Sequence, residues 1–266
     1  MNLSAFIKSI LFLFSFFSTA VTVAKAEPQI LPENAYRDPT ISTTIFEDPY
    51  TGFLFRDDNR VVGNIATNIP LLSFNEGKDQ IFLQASVESS LRDAGVTLYA
   101  ETLDMRIGMN WTHPLADHWW VTAGLQHMSG HVMDDVIEKS LIPLNMGIDE
   151  IPFRLVYRDK NGIKSGLHLS LDTGRSDPAS RFVAGGVFGE YHFSHDEAGD
   201  GFYVGTNLYF AENLNIGLST TTEAGYVYHR MHCLLGYHSG ADPRLKQEMF
   251  LGTTAYFWFA GFRYEI

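Results

Sequence analysis

Residues 103–112 read LDMRIGMNWT, and apolar and polar side chains alternate through them without a break. Leu103, Met105, Ile107, Met109 and Trp111 fall on one parity; Asp104, Arg106, Gly108, Asn110 and Thr112 fall on the other. Side chains on a strand point to opposite faces in turn, so this stretch has one fully apolar face and one polar face. A helix would mix Asp104 and Arg106 into the apolar stripe, so the element predicted is a strand. The final stretch, YFWFAGFRYEI, behaves alike, with Tyr256, Trp258, Ala260, Phe262 and Tyr264 sharing a face. The same reading places strands at 50–56, 61–69, 80–90, 96–112, 117–130, 151–160, 164–173, 182–194, 201–211, 214–222, 225–238 and 248–266.

A soluble sandwich and a membrane barrel both alternate in this way. The end of the chain separates them, because a long apolar edge strand at a terminus invites aggregation in water. The terminal strand resembles that of bacterial outer-membrane barrels, departing from it by ending in Ile266 where those chains end in an aromatic residue. A tilted spanning strand needs ~9–11 residues. The expected fold is therefore all-β, an antiparallel transmembrane barrel of about twelve strands with both termini on the periplasmic side. Short connections at 112–117 and 160–164, the latter holding Asn161-Gly162, are expected in the periplasm; 131–150, 174–181 and 239–247 are expected outside. Residues 70–79 and 211–214 fit this rule less well, the first long for a periplasmic turn and the second short for an outer loop.

Before the barrel, Lys8 precedes an apolar run from Ile10 to Val23 and then Ala24-Lys25-Ala26. That is the layout of a secretory signal over residues 1–26, with 27–49 as a proline-containing periplasmic lead-in and 50–266 as the barrel. Export to the bacterial outer membrane follows. Loss of the signal removes two lysines and no acids, taking the net charge from −12 to −14. Such acidity argues against nucleic acid as a partner and leaves outer-membrane lipids. Cys233 is the single cysteine, so no intrachain disulfide forms; its parity with Val227, Met231 and Leu235 makes it a small lipid-facing residue. Trp111, Trp119 and Trp258 suit aromatic girdles at the membrane interfaces.

One stretch breaks the alternation with chemistry. GLQHMSGH (residues 124–131) carries His127 and Ser129 on the parity of Val121, Ala123 and Leu125, the face expected toward lipid. A serine hydroxyl attacks an ester only when a neighbouring base takes its proton, and residues two apart on one strand face are near enough for that. The pattern resembles outer-membrane phospholipase A and lipid A deacylase, which carry His-x-Ser on an outward-facing strand. By that resemblance His127 is the base and Ser129 the nucleophile, with a third group orienting the histidine. The matching position for the third group falls near Leu141, which has no polar atom to offer. Glu138, Asn145, Asp149 and Glu150 are the nearby candidates, with Asp134 and Asp135 in the loop, and the sequence selects none. HMSGHVMDD (127–135) together with LGYHSGADPR (235–244) also resembles a family of bacterial exported proteins to which no activity is attached. The opposite reading of His127 and Ser129 is a polar strand end beside the headgroups.

The remaining candidates are weaker. His131 is a second candidate base; it stands ~13 Å from His127 along a strand, too far to share a metal. His192 and His195 lie on opposite faces, as do His229 and His232. Asp196, Glu197 and Asp200 form an acidic turn without the spacing of a calcium loop. No metal or cofactor is expected. Asp104 and Arg106 point into the lumen as a polar network, in which Tyr226, Tyr228, Arg230 and His232 are further candidates. The sequence thus predicts an outer-membrane barrel with a structural or narrow-channel role, and as the alternative a serine hydrolase of membrane-lipid esters.

Overall fold

In a computed structural model, which describes residues 50–93, 98–132, 146–175, 183–195, 200–212, 216–240 and 255–265, the alternating segments close into a barrel. The expected signal and lead-in, residues 1–49, lie outside the described residues. The strands are β1 (Tyr50–Arg56), β2 (Arg60–Phe74), β3 (Asp79–Asp93), β4 (Leu98–Ala116), β5 (Trp119–Val132), β6 (Met146–Arg158), β7 (Ile163–Arg175), β8 (Val183–His195), β9 (Gly201–Glu212), β10 (Ile216–Tyr228), β11 (Met231–Gly240) and β12 (Ala255–Glu265). Each pairs antiparallel with its sequence neighbours, and β1 closes the ring against β12 from Tyr50↔Glu265 to Arg56↔Phe259. Gly52 and Gly261 allow the close approach at this seam: a Cβ on either would stand 2.0 Å from a carbonyl oxygen of the facing strand.

The up-and-down order puts the connections 75–78, 117–118, 159–162, 196–200 and 229–230 at one end, together with the start of β1 and the end of β12. These are short, and the periplasmic end of a barrel carries short turns. The opposite end carries the connections 57–59, 94–97, 133–145, 176–182, 213–215 and 241–254, three of them longer than any at the first end, and is the outer end. Two turns differ from their expected places. The β2–β3 turn is only 75–78, with Asn75, Glu76 and Gly77 all at positive φ, because β2 runs on to Phe74. The β10–β11 turn is His229-Arg230, both at positive φ, where the sequence reading had broken the strand near residue 223.

The exterior is apolar. Phe53, Phe55, Ile65, Val87, Met105, Ile107, Met109, Leu125, Val187, Leu208, Leu218, Leu235 and Phe262 are all exposed on the outward parity. Trp119–Tyr157 (ring centroids 5.2 Å) and Phe202–Tyr226 (4.9 Å) sit toward the periplasmic rim, and Tyr237–Trp258 (4.9 Å) toward the outer rim. A closed ladder with an apolar belt and aromatic rims satisfies every strand in hydrocarbon; this is the architecture of the bacterial outer membrane, and the chain is an outer-membrane β-barrel.

The interior is filled by side chains. Leu54, Phe82 and Val156 have no accessible surface, and Tyr50, Leu54, Val62, Leu234, Phe257 and Phe259 form one apolar cluster across the seam. Facing strands carry polar contacts: Asn110 Nδ2 donates to Gln84 Oε1 (3.1 Å), and the hydroxyls of Thr112 and Thr122 meet at 2.9 Å. Near the periplasmic end the Glu223 carboxylate accepts from Arg263 and from the Tyr203 hydroxyl, the latter at 2.9 Å. At the outer end the ion pairs Arg56–Asp58, Arg60–Asp58, Arg60–Glu101 and Arg92–Glu101 form a chain. Asp104 and Arg106 face inward as expected, and Gly130 opposite Asp104 leaves room for it, since a Cβ there would be 2.5 Å from Asp104 Oδ1. His232 is likewise interior. Tyr226 and Tyr228 correct the expectation: both face lipid, because β10 runs unbroken to Tyr228 and its inward parity is that of Glu223 and Val227. Arg230 sits in the turn. Cys233 faces outward as expected, but Val227, grouped with it in the sequence, is interior for the same reason.

Candidate functional site on the lipid-facing wall

The site is built where β5 and β6 approach the outer rim. On β5, Trp119, Leu125 and His127 are exposed on one parity, and Gly124, Gln126 and Met128 are buried on the other. His127 and Ser129 therefore lie on the outward file, and no bulge between β4 and β5 intervenes there: Met105 faces Ser129 and Ile107 faces His127 across the ladder. On the other side Asp149 faces His127 and Gly147 faces Ser129. That register exists because β6 begins at Met146, five positions before the start read from alternation, and so carries Asp149 as a strand residue.

The Asp149 carboxylate Oδ1 lies 2.7 Å from His127 Nδ1. A carboxylate only accepts, so Nδ1 donates the hydrogen, and in the neutral ring Nε2 then keeps its lone pair. Nε2 makes no hydrogen bond to another described residue, nor does the Ser129 hydroxyl, so His127 and Ser129 are neighbours on one face without a bond joining them. The side chains of His127 and Asp149 are 52% and 64% exposed, so the barrel itself leaves the pair open to the leaflet. A charged group on the lipid face costs ~2–4 kcal/mol at the bilayer midplane and ~0–1 near the interfaces. The depth of the pair near the outer rim makes it tolerable, while Ile107 and Met105 beside it remain in the apolar belt.

The Asp149 backbone is itself held. Between β6 and β7, Asp149 pairs with Gly174 and Glu150 with Asp172, leaving Thr173 as an extra residue. The Thr173 hydroxyl donates to the Asp149 carbonyl oxygen at 3.1 Å. Such bulges re-aim neighbouring side chains.

The structure thus brings together His127 and Asp149, with Ser129 next along the file. It turns Glu150 into the interior, where the carboxylate accepts from the Ser170 hydroxyl at 2.5 Å, away from the histidine. His131 continues the outward file opposite Leu103. Glu138, Asn145, Asp134 and Asp135 lie outside the described residues, as do Asp196 and Glu197. Asp200 caps the β10–β11 turn by accepting from the His229 backbone N–H at 2.8 Å.

Sequence reasoning missed a second outward-facing cluster, at the periplasmic end of β3 and β4. Buried Asp79 accepts from Trp111 Nε1 (2.9 Å) and Asn75 Nδ2 and contacts His113 Nδ1 at 2.7 Å. The Trp111 and His113 rings stack with centroids 5.5 Å apart. The signal was present as Trp111 and His113 at alternate positions, but their acceptor lies on another strand.

No family model matches the chain. No curated protein matches it either. Among solved structures, a triple mutant of the Rhodopseudomonas blastica porin is similar over 82% of this chain and 97% of its own, at 9% identity and a TM-score of 0.34. The β-domain of the Bordetella autotransporter Brka is similar over 82% of this chain and 96% of its own, at 7% identity and a TM-score of 0.42.

Proposed function

We propose that this outer-membrane barrel hydrolyses acyl esters of membrane lipids on its exterior wall, with Ser129 as nucleophile, His127 as general base and Asp149 as the group that orients the imidazole. The observation that carries this reading is the 2.7 Å contact between Asp149 and His127 Nδ1 on the lipid face, two residues from Ser129. Nε2 is thereby left as the basic nitrogen. In the reaction Ser129 Oγ bonds to the ester carbonyl carbon while its proton passes to His127 Nε2. The C–O bond to the alcohol then breaks, and the alcohol leaves with that proton. Water attacks the acyl-serine by the same proton route, releasing fatty acid and free serine. Hydrogen bonds of this kind are often long before substrate binds and tighten in the complex, which agrees with the unjoined Ser129 and His127. The resemblance of His127-x-Ser129 to lipid hydrolases points the same way.

The test uses the full chain in lipid vesicles. Wild type should release fatty acid from phospholipid or lipopolysaccharide, and a fluorophosphonate should label Ser129. Equal background release by wild type and Ser129→Ala would end the proposal.

A second reading, a structural barrel without a reaction, draws on the interior: Leu54, Phe82, Val156, Phe257 and Phe259 at or near zero exposure leave little path for water between them. Of the two non-catalytic roles, structural and narrow channel, this filling supports the first. Stepwise ion conductance across a planar bilayer would favour the channel.

A further inference from the structure

We infer that His113, Trp111 and Asp79 form a binding site on the lipid face for a phospholipid of the periplasmic leaflet whose headgroup carries a primary ammonium. The site is separate from the wall of β5 and β6 and does not rest on the hydrolase reading. It lies at the headgroup level: Asp79 opens β3 straight after the turn 75–78, and β4 ends at Ala116, three residues beyond His113. Trp111 and His113 continue the outward file of Ile107 and Met109, and Asp79 shares the outward parity of Ile81, which faces Trp111 across the ladder. The Asp79 side chain is nevertheless only 3% exposed, because two rings and a turn residue cover it. Its Oδ1 accepts from Trp111 Nε1 at 2.9 Å and from His113 Nδ1 at 2.7 Å, and its Oδ2 accepts from Asn75 Nδ2.

Two consequences point to a cation. Among the described residues no lysine or arginine reaches Asp79. With a neutral imidazole, its three donors satisfy its lone pairs and leave its charge uncancelled, and a carboxylate taken out of water costs free energy until a positive charge answers it. The same hydrogen bonds fix the imidazole. Nδ1 is engaged by Asp79, and in the neutral ring Nε2 keeps its lone pair at the tip, away from the backbone. Nε2 makes no hydrogen bond to another described residue, and the His113 side chain is 34% exposed. A primary ammonium donates one N–H there and sets its charge across the ring from Asp79. The Trp111 indole, stacked on the imidazole with centroids 5.5 Å apart, adds the π-face that cations prefer. A quaternary ammonium has the charge but no N–H to give, and a phosphate alone would face the charge of Asp79. On the adjoining turn Glu76 and Lys78 are both exposed and their charges offset. The occupant is a lipid rather than a free amine because Ile107 and Met109, exposed on the same file toward the membrane centre, give its chains an apolar wall.

The test is native mass spectrometry of the full chain, solubilised with an equimolar mixture of phosphatidylethanolamine, phosphatidylcholine and phosphatidylglycerol carrying the same acyl chains. Wild type should retain the ethanolamine lipid about three- to fivefold above the other two, the scale of one exposed cation contact of this kind. His113→Phe keeps a ring on Trp111 and removes Nε2; Asp79→Asn keeps the shape and removes the charge. Each should bring the three lipids level, with heat-dependent mobility in detergent gels reporting that the variant is folded. A wild type that retains either of the other lipids as well as the ethanolamine lipid, or better, overturns the site; the glycerol lipid on top would make His113 a phosphate contact instead. A folded His113→Phe protein that still favours the ethanolamine lipid overturns it as well. The wild-type ranking decides where a variant does not fold.

Discussion

Replacing Glu223 with alanine should destabilise the barrel by several kcal/mol, and the interior geometry sets the size. The Glu223 side chain is fully buried and that of Arg263 is 4% exposed, so neither charge has water to fall back on. Glu223 joins three strands: it sits on β10, accepts from Arg263 of β12 and takes the Tyr203 hydroxyl of β9 at 2.9 Å. Truncation leaves a guanidinium without its counter-charge, a change that costs about 3–5 kcal/mol at buried pairs. The stranded Tyr203 hydroxyl adds roughly 1–3 kcal/mol more, the usual penalty for a buried donor without a partner. The expected total is ~4–6 kcal/mol after overlap between the two terms. Reversible urea unfolding in phospholipid vesicles, followed by tryptophan fluorescence, measures it. The pair Glu223→Leu with Arg263→Met removes both charges and should recover most of the loss, because an apolar replacement of a buried ion pair is often neutral. A Glu223→Ala cost below ~1 kcal/mol would refute the reasoning, since no uncompensated buried charge is that cheap. A double variant whose cost equals the sum of the two single ones would refute it as well.

Three further outcomes follow from the same geometry. Asp149→Asn should lower lipid-ester hydrolysis roughly ten- to a hundredfold in a fatty-acid release assay, less than the ~10⁴ of a buried triad carboxylate because Asp149 is exposed. Gly124→Val should cost about 1–3 kcal/mol in the same urea assay, since its Cβ would stand 2.1 Å from Asn110 Oδ1 and 2.5 Å from the Met109 carbonyl oxygen. The Asp159 carboxyl is held below its ordinary value of 3.8, first by the Ile163 backbone N–H and then by the Asn161 backbone and side-chain donors. A depressed carboxyl contributes stability that is fully present above the ordinary value and is lost as pH falls through the lowered one. The protection factor of the Ile163 amide should therefore hold at pH 5 and fall on acidification below 3.8, and the Asp159→Ala protein should show no such pH step.

The alternation at 103–112 and at 256–264 made the barrel legible, because a lipid-facing strand must keep its parity over its whole length. Strand limits were less legible where polar residues are acceptable on either face. Alternation alone starts β6 at 151, and Gly147 and Asp149 give it no apolar parity to extend. They are outward all the same, and that is how Asp149 comes to stand opposite His127. The turn at His229-Arg230 lacks glycine and proline, and reading one strand through it puts Tyr226 and Tyr228 on the parity of His232, the wrong wall. His127 and Ser129 were found from parity alone. Their partner could only be chosen by inter-strand register, which depends on where β6 starts. Asp79 was invisible for a related reason: its three contacts come from a turn residue and from two residues of a neighbouring strand.

The outward direction of the His127–Asp149 pair changes how any substrate is met. For the hydrolysis proposed above, encounter would take place in two dimensions, between a protein and the molecules that diffuse past it in the same sheet. The quantity that governs occupancy is then mole fraction in the leaflet, so inert lipid added at constant bulk concentration of ester should slow turnover by simple surface dilution.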